Sequence, residues 1–80
     1  MSAPDNHEVA EVFLEMADLL DIRGGDPYRA RTFRRASRII ENLREPLAVA
    51  LRFGTFEKIR GVGEGIVRRA REILQTRTCE

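Results

Sequence analysis

The sequence predicts an all-α fold, a compact bundle of four main helices in a single domain that spans residues 1–80, with its core at about residues 6–75. Three observations predict this fold class. Apolar residues recur at intervals of three and four along the chain, which is the period of an amphipathic helix. No segment alternates apolar and polar residues with a period of two, so we expect no sheet. A length of 80 residues suffices for one domain with a thin core.

The composition excludes several classes of protein. The single cysteine, Cys79, rules out an intramolecular disulfide framework, and with only one histidine a Cys/His zinc site is disfavoured. We expect that histidine, His7, to be solvated and without partners. The chain has no apolar run of about 18 residues and no apolar stretch near its start, so we expect no membrane span and no signal peptide. A cytoplasmic location follows as the default expectation.

The first helix is predicted over residues 6–22. Asp5 and Glu8 have the spacing of a capping box, in which each residue satisfies a backbone amide of the other. The apolar residues that follow at helical spacing are Val9, Val12, Phe13, Met16, Leu19 and Leu20. Gly24 and Gly25 should end the helix, because glycine adopts the left-handed stop conformation without strain.

The second helix is predicted from Pro27 to about Asn42, with Asp26 as its N-cap. Its buried stripe consists of Phe33, Ala36, Ile40 and Leu43. Much of the remaining surface is arginine, at positions 29, 31, 34, 35 and 38, with Tyr28 and Phe33 interleaved. Basic residues clustered with aromatic residues are typical of a nucleic-acid contact, although a solvated helix face remains the alternative.

Two short helices and one long helix complete the chain. Pro46 should start a short helix that Gly54 closes, and Thr55 should cap another that contains Phe56 and Ile59. The last helix is predicted to begin at about residue 63 or 64 and to reach about residue 75.

The net charge of +1 conceals a strong segregation of charge. Residues 1–21 hold six acidic residues and no basic one, whereas residues 22–80 hold fourteen basic and seven acidic residues. Such asymmetry indicates a partner that recognises charge, most often nucleic acid. Thirteen of the fourteen basic residues are arginine, whose planar fork suits bidentate contact with phosphate.

The stretch from Phe56 to Leu74 has the pattern of a helix-hairpin-helix motif around Gly61-Val62-Gly63. The glycines permit a tight turn and close backbone approach, and Val62 should plug the core. The free amides at the start of the next helix can then hold a backbone phosphate. The DNA contacts we predict are the backbone from Gly61 through Val62, Gly63 and Glu64 to Gly65, with Lys58, Arg60, Arg68, Arg69 and Arg29 as charge partners. Such contacts position a protein on DNA without reading its sequence. A purely structural turn is the alternative.

The chain also resembles the small N-terminal domain of family X DNA polymerases, the DNA polymerase beta group, and most closely its bacterial branch. The matching stretches are residues 17–36, residues 39–40 and the hairpin with its helix to residue 74. The resemblance implies binding to gapped or 5′-phosphorylated DNA in repair, and therefore a location with the nucleoid. It implies a free-standing relative or a fragment whose partners are the other domains of a parent polymerase. It also implies a Na⁺ or K⁺ ion on the backbone carbonyls of Glu57, Ile59 and Val62, with no other cofactor required.

Animal members of that family remove a 5′-deoxyribose phosphate through a lysine Schiff base, and the resemblance places that lysine at Arg69. A guanidinium stays protonated and cannot act as an amine nucleophile, so we expect no enzyme activity. The residues that match the phosphate pocket depart from the family in part, with Gly65 and Phe33 replacing a lysine and a tyrosine and Arg29 keeping a charge. The alternatives are a lyase that uses Lys58, the only lysine, or the terminal amine, and a protein-interaction module that docks through the acidic first helix.

Overall fold

The computed structural model describes residues 4–77, and within that range it contains helices and no strands. The four α-helices are α1 (Asn6–Ile22), α2 (Pro27–Glu41), α3 (Leu47–Arg52) and α4 (Glu64–Arg77), and a 3₁₀ turn, Phe56–Lys58, lies between α3 and α4. The predicted all-α bundle is therefore confirmed. No helix in the described range is both long enough and apolar enough to cross a membrane. The expectations for Cys79 lie outside the described residues.

Helices α1 and α2 form an antiparallel pair whose ends the sequence predicted correctly. The Asp5 carboxylate accepts the Glu8 amide at 2.8 Å while Glu8 accepts the Asp5 amide at 2.9 Å, which is the expected capping box. Gly24 has φ of 71° in the connection that follows α1. Asp26 then caps α2 by accepting the Tyr28 amide.

The core fills the space between this pair and the C-terminal half. Phe13 on α1 and Phe33 on α2 meet with ring centroids 5.8 Å apart and planes tilted by 54°, a favourable aromatic geometry. Phe56 of the 3₁₀ turn is completely buried, so it anchors the segment before the hairpin to the same core. Buried alanines on the two helices let their backbones approach closely: Ala10, Ala17, Ala30 and Ala36.

The segment before the hairpin differs from the prediction in one detail. Thr55 caps no helix: its side chain makes no capping hydrogen bond, and its hydroxyl lies 3.0 Å from a Glu45 carboxylate oxygen and 3.3 Å from the Ala50 carbonyl. The predicted second short helix is a single 3₁₀ turn, and Ile59 follows it in extended conformation. The chain thus leaves α3 and enters the hairpin within seven residues, numbered 53–59, which keeps the hairpin close to the core.

A long-range hydrogen-bonded contact between α1 and α3 is not predicted by the sequence. The Asn6 side chain accepts the Leu47 amide at 2.8 Å and donates to the Glu45 carbonyl at 2.8 Å. It therefore satisfies a free amide at the start of α3, where Pro46 offers no side-chain cap. This bridge joins the first turn of α1 to the first turn of α3.

The expectation that His7 has no partner is wrong. Its Nδ1 lies 2.7 Å from a Glu41 carboxylate oxygen on α2, and its Nε2 lies 3.4 Å from Glu11. The hydrogen bond and charge of Glu41, with the charge of Glu11, raise the pKa of His7 above its usual value. Antiparallel packing brings the start of α1 to the end of α2, which no local pattern in the sequence indicates.

This contact predicts a pH dependence of stability. Because the folded state raises the His7 pKa, the contribution of the pair is fully present below about pH 6.5 and is lost as the pH rises through the folded pKa. Urea unfolding between about pH 5.5 and about pH 8 should show the midpoint falling with pH. The His7→Gln variant should lose that part of the pH dependence. An unchanged profile in the variant would show that the exposed pair contributes nothing measurable.

Candidate nucleic-acid interface

A cavity of about 550 Å³ lies between the first turns of α2 and the hairpin with the start of α4. The hairpin contributes backbone and small side chains, and the two helices contribute long polar ones. Its lining residues are Tyr28, Arg29, Thr32, Phe33, Arg35, Gly61, Val62, Gly63, Gly65, Ile66, Arg68, Arg69 and Glu72. Two segments about thirty residues apart in sequence therefore build one concave surface.

The charge of the cavity is strongly positive. Four arginines line it, at positions 29, 35, 68 and 69, and the one carboxylate among the described lining residues is Glu72. Arg69 lies 3.8 Å from Glu72, a loose contact between half-exposed side chains that an anion can replace. The Arg29 guanidinium lies 5.7 Å from the centre of the Phe33 ring, a cation–π arrangement that orients it. Guanidinium groups converging on a cleft are suited to binding phosphate.

The hairpin turn depends on Gly61. Its φ of 96° lies in the region that favours glycine, and a Cβ there would lie 2.8 Å from Cδ of Arg35. Gly63 is different, because its φ is not positive and a Cβ on it would meet nothing within 4 Å. The sequence predicts a tight turn that needs both glycines, whereas in the structure Gly61 has a positive φ and Gly63 does not.

The start of α4 presents free backbone donors to the cavity mouth. The Gly63 carbonyl already accepts the amides of Ile66 and Val67, each at 3.1 Å. The amides of Gly63, Glu64 and Gly65 have no acceptor among the described residues. A Cβ on Gly65 would also meet nothing within 4 Å, so this surface is open. Free amides at a helix start attract anions, because the helix dipole adds a partial positive charge there.

The structure brings together most of the predicted contact residues. Gly61, Val62, Gly63, Gly65, Arg68, Arg69 and Arg29 all line the cavity. Val62 is half-buried and packs against the core, as its predicted role as a plug requires. Glu64, Lys58 and Arg60 are exposed and do not line the cavity. Lys58 ends the 3₁₀ turn, and Arg60 immediately precedes Gly61.

Three further residues of α2 line the cavity: Tyr28, Thr32 and Arg35 are spaced at i, i+4 and i+7, so they share one face of the helix. The sequence predicts Tyr28 and Arg35 as part of a basic, aromatic helix that contacts nucleic acid, but it does not place them at the hairpin, and it does not single out Thr32. Their spacing in the sequence indicates that they lie on one face of a helix. Nothing local indicated that this face lies opposite the hairpin. Glu72 was missed as well, and it follows Arg68 by four residues on α4.

Not every arginine of α2 is free to bind a ligand. The Arg34 guanidinium donates to both Asp18 and Asp21 of α1, and these hydrogen bonds raise the pKa of Arg34 further above its already high value. Other acidic residues of α1 also have internal roles, since Glu8 completes the capping box and Glu11 contacts His7. Part of the segregated charge thus meets across the interface between α1 and α2.

The carbonyls implied as ligands of a monovalent cation suit such an ion in their chemistry. The Ile59 carbonyl accepts the Val62 amide at 3.1 Å and keeps one lone pair, while the carbonyls of Glu57 and Val62 accept no hydrogen bond from the described residues. Carbonyl oxygens are hard ligands that Na⁺ and K⁺ accept. Within residues 4–77, no group of three or more His, Cys, Asp or Glu side chains could hold a metal ion.

Comparison with known proteins places this geometry in a family. A family model described as a helix-hairpin-helix domain matches residues 4–79, which is nearly the whole chain. The protein belongs to this family, whose domains generally bind DNA without sequence specificity. No curated protein and no solved structure matches the chain.

Proposed function

We propose that this protein binds DNA through the sugar–phosphate backbone, without reading the base sequence, at the cavity between α2 and the hairpin. The observation that carries the proposal is the convergence of four arginines and the free amides at the start of α4 on one open cavity. Phosphate is the ligand that matches both donor types at once. The free backbone amides of the hairpin match phosphate oxygens, and contacts of this kind position a protein on DNA without reading its sequence.

We further propose a role in DNA repair, at gapped or 5′-phosphorylated ends, as a free-standing relative or a part of a family X polymerase. A concave site suits a strand terminus better than a continuous duplex, because a terminus can enter a cavity. A terminal phosphate carries more negative charge than a backbone phosphate, and the single carboxylate of the cavity leaves a net positive site for it. In this proposal a Na⁺ or K⁺ ion on the carbonyls of Glu57, Ile59 and Val62 would stiffen the hairpin beside that site.

A binding titration tests this function. Contacts with about three to five phosphates should make the logarithm of affinity fall with the logarithm of salt at a slope of about −3 to −4. The titration compares intact, nicked and gapped duplexes of random sequence, with and without a 5′-phosphate. We expect micromolar or weaker affinity and a gain from the gap with its phosphate. Salt-independent binding, or a strong preference for one base sequence, would refute the proposal.

We propose that the isolated domain binds without catalysis. Arg69 lines the cavity at the position where the resemblance to family X polymerases expects the Schiff-base lysine. It offers a guanidinium in place of an amine. Lys58 lies outside the cavity lining and is exposed to solvent. A lyase that uses Lys58 would need the sugar to bind elsewhere.

Borohydride trapping measures this directly. With a duplex that carries a 5′-deoxyribose phosphate, the protein should form no more covalent adduct than an unrelated protein that contains lysine. The Arg69→Lys variant restores an amine at the cavity wall and should trap weakly, because the other groups of a lyase pocket are missing. Efficient trapping by the unmodified protein that Lys58→Ala abolishes would make it an enzyme.

A further inference from the structure

Three arginines of α2 form a continuous row on one face of the helix. Arg31, Arg35 and Arg38 are spaced at i, i+4 and i+7, which places them side by side on one face. All three are exposed, and none forms an ion pair with any residue in the described part of the chain. The cavity accounts for Arg35 alone, so Arg31 and Arg38 are left without a role.

The neighbouring Arg34, which forms ion pairs within the domain, provides a comparison for the unpaired arginines of the row. It points to α1 and donates to Asp18 and Asp21, so its charge is satisfied inside the domain. The row has no such partners. Like charges at i and i+4 repel and destabilise an isolated helix, so three adjacent unpaired arginines cost folding free energy. A binding partner that supplies negative charge along the helix offsets that cost.

Arg35 connects the row to the hairpin. Its Cδ lies so close to Gly61 that a Cβ on that glycine would come within 2.8 Å of it. The Arg35 side chain therefore lies against the hairpin while its backbone belongs to the row. A strand bound at the hairpin would therefore meet the row at Arg35.

We infer that Arg31, Arg35 and Arg38 form a second phosphate-binding row, which takes the backbone of the DNA where it continues past the hairpin. The inference rests on the proposed function, since it extends the same DNA beyond the cavity. From Arg31 to Arg38 the helix rises by about 10 Å, which matches about three nucleotides of one strand at their axial spacing. The row therefore lengthens the footprint and steepens the salt dependence beyond what the hairpin and cavity produce.

The test is a salt titration of matched double variants by fluorescence anisotropy with labelled DNA of random sequence. Arg31→Gln with Arg38→Gln removes the row on either side of Arg35. Arg52→Gln with Arg71→Gln removes the same charge from exposed arginines on α3 and α4 that do not line the cavity. Circular dichroism and thermal melting show first that both variants are folded.

We expect the row variant to lower the salt slope by about 2 and to weaken binding about tenfold, with the control variant keeping the slope of the unmodified protein. The shortest DNA that binds with full affinity should be about three nucleotides shorter for the row variant, because fewer phosphates are contacted. Equal losses in both double variants, or an unchanged minimal length, would overturn the inference and leave the row as solvated charge. A different variant tests the proposed function itself: if Gly65→Leu binds DNA with full affinity, the hairpin does not bind phosphate, whatever the row variant shows.

Discussion

Replacing Gly65 with leucine should weaken DNA binding at least about tenfold while leaving the domain folded and slightly more stable. Gly65 lies in the first turn of α4, where a Cβ meets nothing within 4 Å, so the fold accepts the larger side chain. Leucine is the better helix former and should raise the free energy of unfolding by about 0.5 kcal/mol. The same side chain covers the free amides at the cavity mouth and blocks the approach of phosphate.

The measurement pairs urea unfolding with the anisotropy titration on one preparation. The opposite signs of the two effects make the result diagnostic, because general damage to the fold would lower both quantities. Arg71→Ala serves as the control for surface change on the same helix, since Arg71 is exposed and does not line the cavity. Full affinity in Gly65→Leu would mean that the hairpin is only a structural turn.

Replacing Gly61 with valine should destabilise the domain by about 1–3 kcal/mol, which is a large fraction of the stability of a small domain. The cost arises because φ of 96° lies where a β-branched residue is an outlier. The added side chain also meets Arg35, so the guanidinium that joins the cavity to α2 must move. Binding should fall along with stability in this variant.

Gly63→Ala is the matched control for this prediction. Gly63 has no positive φ, and its Cβ would meet no atom within 4 Å, so alanine there should change the unfolding midpoint little. Denaturant unfolding of the two variants compares one glycine that the turn requires with one that it does not. Equal midpoints for the two variants would show that the turn relaxes without cost, and our interpretation of Gly61 would be wrong.

Local chemistry explains why the sequence analysis located the helices so closely. Asp5 with Glu8, Asp26 with Pro27, and Gly24 act within a few residues, and the structure shows each at the predicted helix end. The Gly61-Val62-Gly63 turn is equally local, and the family match over residues 4–79 agrees with it. Thr55 does not cap a helix because its backbone is in the right-handed helical region, with φ of −76° and ψ of −29°, whereas an N-cap residue is extended.

The contents of the site could be predicted only in part. The hairpin glycines, Arg68 and Arg69 belong to one local segment, so the motif identified them together. Arg35 and Tyr28 belong to the basic, aromatic cluster that the sequence predicts, but the sequence could not place them at the hairpin, because nothing local decides which face of α2 meets it. That choice follows from the burial of Phe33 and Ala36 against α1 and the core.

The amino-acid sequence by itself determined the helices and the hairpin, because caps, glycines and apolar spacing act over a few residues, and it determined the excess of positive charge in residues 22–80. Only the tertiary structure decided which charges remain available. Packing of α1 against α2 pairs Arg34 with Asp18 and Asp21, while Arg31 and Arg38 stay unpaired in the described range. It also sets the two walls of the cavity opposite each other. Such long-range pairing depends on how whole helices bury their apolar faces, and no short stretch of sequence encodes it.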